Sequence, residues 1–213
     1  MSHKYIDRLK EIIEMSFRTL EMKIANGGVI SKNEASFQLE LGYILKVFGQ
    51  LYEFAPNEKF TMQMESYIKL EMNSIKSKSK NARVDIFLTF GSQEEFATGA
   101  IELKFFKKEN HREPNNRYDV FKDISNLEAY KESGINLNYL FVSTDHNHYV
   151  NQISYSIDTM DFDFRNGSKY NSGEILEYRT ATPHGLPIIL NGDYKFKWSE
   201  PKENLFFLKI EVK

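Results

Sequence analysis

Two apolar runs joined by a short polar connection constrain the fold of this chain more than any other feature. Residues 82–90 read ARVDIFLTF, and residues 97–106 read ATGAIELKFF. Both runs are short, are rich in β-branched and aromatic residues, and are bounded by turn-forming residues, which is typical of buried strands. The pair therefore predicts an antiparallel hairpin inside a sheet, with residues 91–96 as its connection.

Helical and extended patterns lie on both sides of this hairpin. The pattern predicts helices over residues 4–25, 118–132 and 149–160. A further helix is predicted to begin at a cap region formed by Ser31, Asn33 and Glu34 and to run through Leu51. It predicts further strands over 59–72 and 137–144, a loop over 166–173, and a terminal hairpin that pairs 194–198 with 205–212. This order of elements predicts an α/β fold with a mixed β-sheet core flanked by helices.

The bulk composition fits one domain that folds by burying a core. The chain has 213 residues, no cysteine and a net charge of −2. We expect a single domain over 1–213, with a helical N-terminal segment at 1–28, a core at about 30–145 and C-terminal strands at about 190–213. No run of apolar residues is long enough to span a membrane, so we expect a cytoplasmic protein without a membrane partner.

Two acids and a lysine interrupt the apolar runs of the hairpin. If Phe90 faces Ala97, then Asp85 falls opposite Glu102. Like charges in that position are destabilising unless a cation lies between them, and oxygen ligands without cysteine suit Mg²⁺, with Mn²⁺ as an alternative. Lys104 projects from the same side of its strand as Glu102, where it would orient or help to deprotonate an attacking water and stabilise a developing negative charge.

Both parts of this interpretation have an ordinary structural alternative. The hairpin charges are also compatible with an amphipathic strand pair that makes a Lys–Glu contact on a wet face. In the second predicted helix, Glu34 falls on the arc of Phe37, Leu41 and Leu45, so it is either a further acid of the site or a carboxylate that caps the helix and interacts with its dipole.

Local basic segments are the candidates for contact with a nucleic acid, because the net charge does not favour one. One segment is KSKSKNAR, and the other is LKFFKKENHREPNNR together with the helix that follows it. The candidate contacts are Lys78, Lys80, Arg83, Lys107, Lys108, Arg112, Arg117 and Lys122. The alternative is that these side chains belong to solvated loops and a solvated helix face. His146 and His148, in DHNHYV, either bind a metal or are simply polar loop residues.

At these residues the chain resembles the PD-(D/E)XK nuclease superfamily, which has the restriction-endonuclease-like fold. The resemblance covers roughly residues 30 to 145. It rests on Asp85 in ARVDIFLTF, on Glu102 and Lys104 in AIELKFF, on Glu34 in NEASFQLELGYIL, and on the helix YDVFKDISNLEAY that leads to LNYLFVST. It implies Asp85, Glu102 and Glu34 as metal ligands and Lys104 as the catalytic lysine. Val84 stands where the name of the family has proline.

The resemblance also implies a function. It implies a Mg²⁺-dependent phosphodiesterase that cuts DNA rather than RNA, in restriction, phage defence or repair, and a homodimer as the active form. Two other functions fit the same residues. One is a catalytically silent relative that binds nucleic acid or a partner protein, and the other is an α/β protein with a purely structural role.

Overall fold

The computed structural model describes residues 3–70 and 81–213. Within these ranges the α-helices are α1 (His3–Ala25), α2 (Glu34–Leu51), α3 (Glu113–Glu132) and α4 (His148–Asn151), and a 3₁₀ turn spans Lys108–Asn110. The strands are β1 (Lys59–Lys69), β2 (Asn81–Gly91), β3 (Phe96–Phe106), β4 (Leu137–Thr144), β5 (Lys169–Tyr170), β6 (Ile175–Leu176), β7 (Ile188–Ile189), β8 (Tyr194–Lys195) and β9 (Phe206–Val212). None of the helices in these ranges is long and apolar enough to cross a membrane.

A five-stranded mixed sheet forms the centre of the protein, in the order β1-β2-β3-β4-β9. The predicted hairpin is confirmed, since β2 and β3 pair antiparallel and Phe90 lies opposite Ala97. β3 and β4 run parallel and are joined through α3, while β9 pairs antiparallel with the other edge of β4. The prediction of an α/β fold with a mixed sheet flanked by helices is therefore confirmed.

Two layers cover the faces of the sheet. On one face, α1 and α2 bury a cluster that includes Ile86, Leu88 and Leu103. On the other face, α3 and the C-terminal region bury a second cluster that includes Leu140 and Val142. All eight residues of β4 are buried. Its run of apolar residues thus reflects burial on both faces, as is usual for a central strand with a parallel neighbour.

The start of α2 is fixed by a capping box, as the cap region in the sequence predicted. The Asn33 side chain accepts a hydrogen bond from the Ser36 amide at 2.8 Å, and the Ser36 hydroxyl accepts one from the Asn33 amide at 3.1 Å. Further along the helix, a Cβ atom at Gly49 would collide with the Phe60 ring, so glycine permits the close approach of α2 to β1. The capping box fixes where α2 begins, and Glu34 is the first residue of this helix.

The C-terminal part of the chain differs from the predicted hairpin. Tyr194–Lys195 pairs with Lys169–Tyr170, which lies inside the predicted loop, and Phe206–Val212 pairs with β4. Only an isolated bridge between Trp198 and Leu208 joins the two segments that were expected to pair. The strands were found in the sequence, but their partners are distant along the chain, and local patterns carry no information about such pairings.

The helix predicted over residues 149–160 is also wrong beyond its first turn. The helix ends at Asn151, and Ile153 and Ile157, which lie within the predicted range, are 95% and 73% exposed. The Arg165 guanidinium donates to the carbonyls of Gln152 and Ile153 at 2.7 and 2.8 Å. These carbonyls are thereby bound in an irregular segment and do not continue the helix.

A buried carboxylate ties α1 to the turn that follows α2. Glu58 is 1% exposed and accepts hydrogen bonds from Lys4 and Arg8 at 2.8–2.9 Å and from the Phe54 and Ala55 amides at 3.0 and 3.2 Å. The hydrogen bond from Lys4 holds the pKa of Glu58 below its usual value; burial opposes this, while the Phe54 amide and Arg8 add to it. The folded state therefore favours the charged form of this carboxyl.

Replacing Glu58 by glutamine should destabilise the protein in a pH-dependent way. We expect Glu58→Gln to lower the free energy of unfolding at pH 7 by about 2 kcal/mol, because charged donors lose their acceptor. Since the folded pKa is depressed, this stabilisation is present above the unfolded pKa of about 4.3 and is lost as the pH falls through the folded pKa. Urea unfolding between pH 3 and pH 7 measures the difference. A gap that stays constant with pH, or one that the exposed Glu94→Gln variant also shows, would contradict this account.

Candidate active site

The register of the hairpin brings the two predicted metal ligands onto neighbouring strands. Regular pairing of β2 with β3 ends at Ile86, opposite Ile101, and the next positions in the same register are Asp85 and Glu102. The Asp85 carboxylate accepts a hydrogen bond from the Leu103 amide at 2.7 Å. Asp85 thus reaches across to β3 at the residue after Glu102, and the predicted register is confirmed as far as the pair of Ile86 and Ile101.

Glu102 is buried beneath α3. Its side chain is inaccessible to solvent, and its Oε1 accepts a hydrogen bond from the Tyr130 hydroxyl at 2.8 Å. Burial raises the pKa of Tyr130, and the charge of Glu102 raises it further, so the phenol keeps its proton and remains a donor. A carboxylate buried at this depth in a sheet needs such a donor to hold it.

Lys104 lies at the centre of the charges. Its Nζ is 2.6 Å from Oδ2 of Asp123 and donates to the Leu103 carbonyl at 3.0 Å, and 15% of its side chain is exposed. Burial alone would lower the pKa of Lys104, but four carboxylates outweigh that effect and raise it. In order of decreasing influence they are Asp123, Glu34, Glu102 and Asp85. The ammonium form of Lys104 is therefore strongly favoured.

Glu34 reaches the same cluster from the opposite layer. Asn33 is the N-cap of α2, so Glu34 is not the capping residue, although its charge still suits the start of a helix. Partial burial of its carboxyl raises the pKa of Glu34; Lys104 opposes the rise, and Asp85 and Asp123 add to it. The residue is exposed rather than within the buried face that its helical arc indicated. It forms the solvent side of the cluster.

The helix α3 supplies three polar residues that the sequence analysis did not single out. Asp123 pairs with Lys104, Tyr130 donates to Glu102, and Asn126 lies between them along the helix. Asn126 is 1% exposed, and its amide nitrogen and oxygen find no hydrogen-bond partner among the described residues. The sequence did contain a sign of this contribution from α3. Asp123 falls within the apolar arc of the helix, where a charged side chain requires a partner.

The exposed basic candidates surround the ends of β2 and β3. Arg83 is paired with Glu65 at 2.9 Å, and Lys107 is paired with Glu109 at 2.7 Å. The remaining candidates on this part of the surface are Lys108 and Arg112, which are exposed, and Lys122, which is half-buried. Lys78 and Lys80 lie outside the described residues.

Arg117 fits neither of the two expectations for it. Its side chain is 2% exposed, so it is neither a surface contact for a phosphate backbone nor part of a solvated helix face. It lies on the inward side of α3 because the segment that includes Tyr155 and Thr159 folds over it. A helical pattern did not reveal this because the covering segment is remote in sequence.

No preformed group of three or more histidine, aspartate or glutamate side chains arranged to hold a metal ion occurs within residues 3–70 and 81–213. A site for Mg²⁺ does not need one, because this ion keeps several waters and commonly binds through one or two carboxylates together with phosphates of the substrate.

The rings of His146 and His148 are stacked 5.4 Å apart, and His146 pairs with Glu113 at 3.0 Å.

Two clefts on the described surface lie beside Thr61, Thr89 and Phe96, and between Arg18 and Trp198, and neither of these two is lined by a residue of the charged cluster.

Comparisons with family models, with curated proteins and with solved structures found no match to this chain.

Removing the central cation should destabilise the protein, and Mg²⁺ should reverse part of the loss. We expect Lys104→Met to lower the free energy of unfolding by about 3 kcal/mol, because Asp123 and Glu102 remain buried without their counter-charge. A divalent ion that binds the carboxylates would favour the folded state. Thermal unfolding with and without millimolar MgCl₂ measures both effects.

The matched control is Lys46→Met, which removes an exposed lysine from α2. It should change neither the stability nor the response to Mg²⁺. If Lys104→Met were as stable as the wild type, the buried charge cluster would not be a significant constraint on the fold.

Proposed function

We propose that the protein is a metal-dependent nuclease of the restriction-endonuclease-like fold, a cytoplasmic enzyme that hydrolyses phosphodiester bonds of DNA. The observation that carries the proposal is the cluster itself. Asp85, Glu102 and Glu34 come from two neighbouring strands and a helix of the other layer, and all three influence the pKa of Lys104. The resemblance in the sequence assigns roles to these four residues.

The residues present suit a bound Mg²⁺ or Mn²⁺. The cluster offers carboxylate oxygens as ligands: four carboxylates raise the pKa of Lys104, and one of them, Asp123, pairs with its ammonium group, so the acids outnumber this cation. Asp85 and Glu102 would hold the ion, while Glu34, which the resemblance implies as a further ligand, stays uncoordinated in this proposal and is available to accept a proton. When bound, such an ion activates water and neutralises negative charge on the phosphate.

The raised pKa of Lys104, together with its ion pair to Asp123, favours one of the two roles that the sequence left open. A lysine that keeps its proton cannot accept one from the attacking water, but its positive charge stabilises the additional negative charge that develops on the phosphate oxygens. Asp123 holds the ammonium group in place. Lys104 therefore acts as a fixed cation.

Glu34 is the better acceptor for the proton of the water. Its carboxyl has a raised pKa and is exposed to solvent, whereas Glu102 is buried and bound to Tyr130. Water attacks phosphorus and forms the new P–O bond, its proton passes to Glu34, and the P–O bond to the leaving sugar oxygen breaks. That oxygen then takes a proton from solvent.

Basic residues beside the cluster supply the contacts to the DNA backbone in this proposal. Arg83 precedes Asp85 by two positions, and Lys107 and Lys108 follow the end of β3. Arg112 and Lys122 extend the basic surface along α3. Such contacts position the backbone and do not select its sequence. An endonuclease of restriction, phage defence or repair that acts as a homodimer is the form that the resemblance implies.

A specific observation favours a second candidate, a silent module of the same fold that binds nucleic acid or a partner protein. Lys104 is engaged in a short ion pair with Asp123, whose Oδ2 lies 2.6 Å from its Nζ. A protein that had lost catalysis would be under no constraint to keep Lys104 available to a phosphate.

A cleavage assay separates the two candidates. With plasmid DNA and Mg²⁺ we expect nicking by the wild type, and a rate about a hundredfold lower for Lys104→Ala, because a donor aimed at the transition state is lost. Asp85→Asn should lose cleavage as well, and it keeps the shape of the side chain if Lys104→Ala folds poorly. Single-stranded DNA, branched DNA and RNA are tested in parallel.

Lys46→Ala is the control and should cut at the wild-type rate. DNA binding without Mg²⁺ and without cleavage would support the silent module. Cleavage that Lys104→Ala and Asp85→Asn retain in full would overturn the assignment of this site.

A further inference from the structure

A cleft of about 610 Å³ lies at the turn of the hairpin, outside the charged cluster. Among the described residues it is lined by the turn before β1, the start of β1, the end of β2, and the connection to β3 with the first residue of that strand, Phe96. We call it the hairpin cleft. Its volume is in the range usual for sites that hold a small molecule. The proposed active site uses none of the residues that line it.

A tight turn holds an aromatic ring at the hairpin cleft. Gly91 has a φ of 151°, and a Cβ atom there would lie 2.3 Å from the Glu95 carbonyl oxygen and 2.5 Å from Cα of Phe96. The Ser92 amide donates to the Glu95 carbonyl at 2.7 Å, and the Ser92 hydroxyl accepts from the Glu95 amide at 3.2 Å. The backbone at Phe96 is thereby fixed, yet this residue is 54% exposed. A fixed ring loses little conformational freedom when a ligand stacks on it.

Hydrogen-bonding groups line the same cleft. Thr61 on β1 and Thr89 on β2 are directly paired, and their hydroxyl oxygens are 2.5 Å apart. Since one hydroxyl donates to the other, the accepting hydroxyl keeps its own proton for a further partner. Asn57 and Gln93 also line the cleft, and an amide side chain both donates and accepts. The hairpin cleft thus offers donors and acceptors in addition to an aromatic face.

The charges at the hairpin cleft do not favour an anion. Nζ of Lys59 lies 3.5 Å from Oε2 of Glu53, and Glu94 adds a negative charge to the lining. A purely apolar ligand is also unfavourable, because it would cover hydroxyl and amide groups without bonding to them. An uncharged planar ring with hydrogen-bonding groups along its edge meets both conditions.

We propose that the hairpin cleft binds a nucleobase, which stacks on the ring of Phe96 and forms hydrogen bonds with the threonine pair and the two amides. Every base has a face that can stack on an aromatic side chain. Threonine hydroxyls and the amides of asparagine and glutamine are side-chain groups that bond to base edges. The base belongs either to a free nucleoside or nucleotide or to a nucleic-acid strand.

A strand would connect the hairpin cleft with the proposed active site. Asp85 and Thr89 lie four residues apart on β2, which is about 13 Å, or about four stacked nucleotides of one strand. Only in that case does the inference rest on the proposed function. Base binding itself needs none of the acids that surround Lys104. It can therefore be measured whether or not the protein cleaves DNA, and the two proposals fail independently.

The test is calorimetric titration of the full-length protein without divalent metal, so that no cleavage takes place. We expect adenosine to bind with a Kd of about 1 mM and ribose, which has no base, not to bind. A short single-stranded DNA and an abasic chain of equal length form the second arm. Tighter binding of the DNA than of both adenosine and the abasic chain assigns the base to a strand. Binding of adenosine without a difference between the two chains assigns it to a free nucleoside or nucleotide.

Three variants locate the site. Phe96→Ala should weaken adenosine binding about tenfold, because the stacking partner is lost, and Phe96→Trp should retain it. Thr89→Val should weaken binding about fivefold, since it removes one hydroxyl and keeps the shape of the side chain. Tyr43→Ala, which removes an exposed aromatic residue from α2, is the matched control and should bind adenosine as the wild type does.

The proposal is overturned if adenosine does not bind and the DNA and abasic chains bind equally. It is also overturned if a folded Phe96→Ala variant and the wild type bind adenosine equally, because the base would then bind elsewhere. If Phe96→Ala does not fold, loss of adenosine binding in a folded Phe96→Trp variant together with unchanged binding in Thr89→Val leads to the same conclusion.

Discussion

The ammonium group of Lys104 is the interaction on which the arrangement of the sheet and its two helical layers depends. It is the common neighbour of acids from α2, β2, β3 and α3, and these elements belong to both faces of the sheet. Four acids would repel one another if no cation lay among them. The cluster therefore links elements of both layers electrostatically, whereas the two apolar clusters lie on opposite faces of the sheet. The excess of acids over this cation is the reason for the metal ion in the proposed function.

Three structural features bring these groups together. The capping box at Asn33 fixes where α2 begins, and hence where Glu34 lies. The hairpin register sets Asp85 beside Glu102, and the parallel connection through α3 returns Asp123 and Tyr130 over β3. Each of these features is encoded in a separate stretch of the sequence. The site therefore forms only when these stretches pack together in the folded protein.

Local patterns explain how much the sequence could predict. The helices α1 and α2, the strands β1 to β4 and the hairpin register follow from apolar periodicity, and the four clustered residues follow from charges that interrupt it. Asp123 was accessible to the same reasoning but required the pairing of α3 with β3. The burial of Arg117, the partners of β8 and β9, and the early end of α4 depend on contacts between remote segments, which no local pattern encodes.

The placement of β9 has a consequence for how the chain acquires its structure during synthesis. β4 is buried on both faces and pairs along one edge with β3, but its other edge is closed by residues that follow Thr144 by about 60 positions. Until those residues leave the ribosome, a strand whose residues are all destined for burial has an open edge. The intervening region from Asp145 to Leu205 thus has to emerge while the sheet is incomplete, and during this time the open edge of β4 is exposed to pairing with a wrong strand.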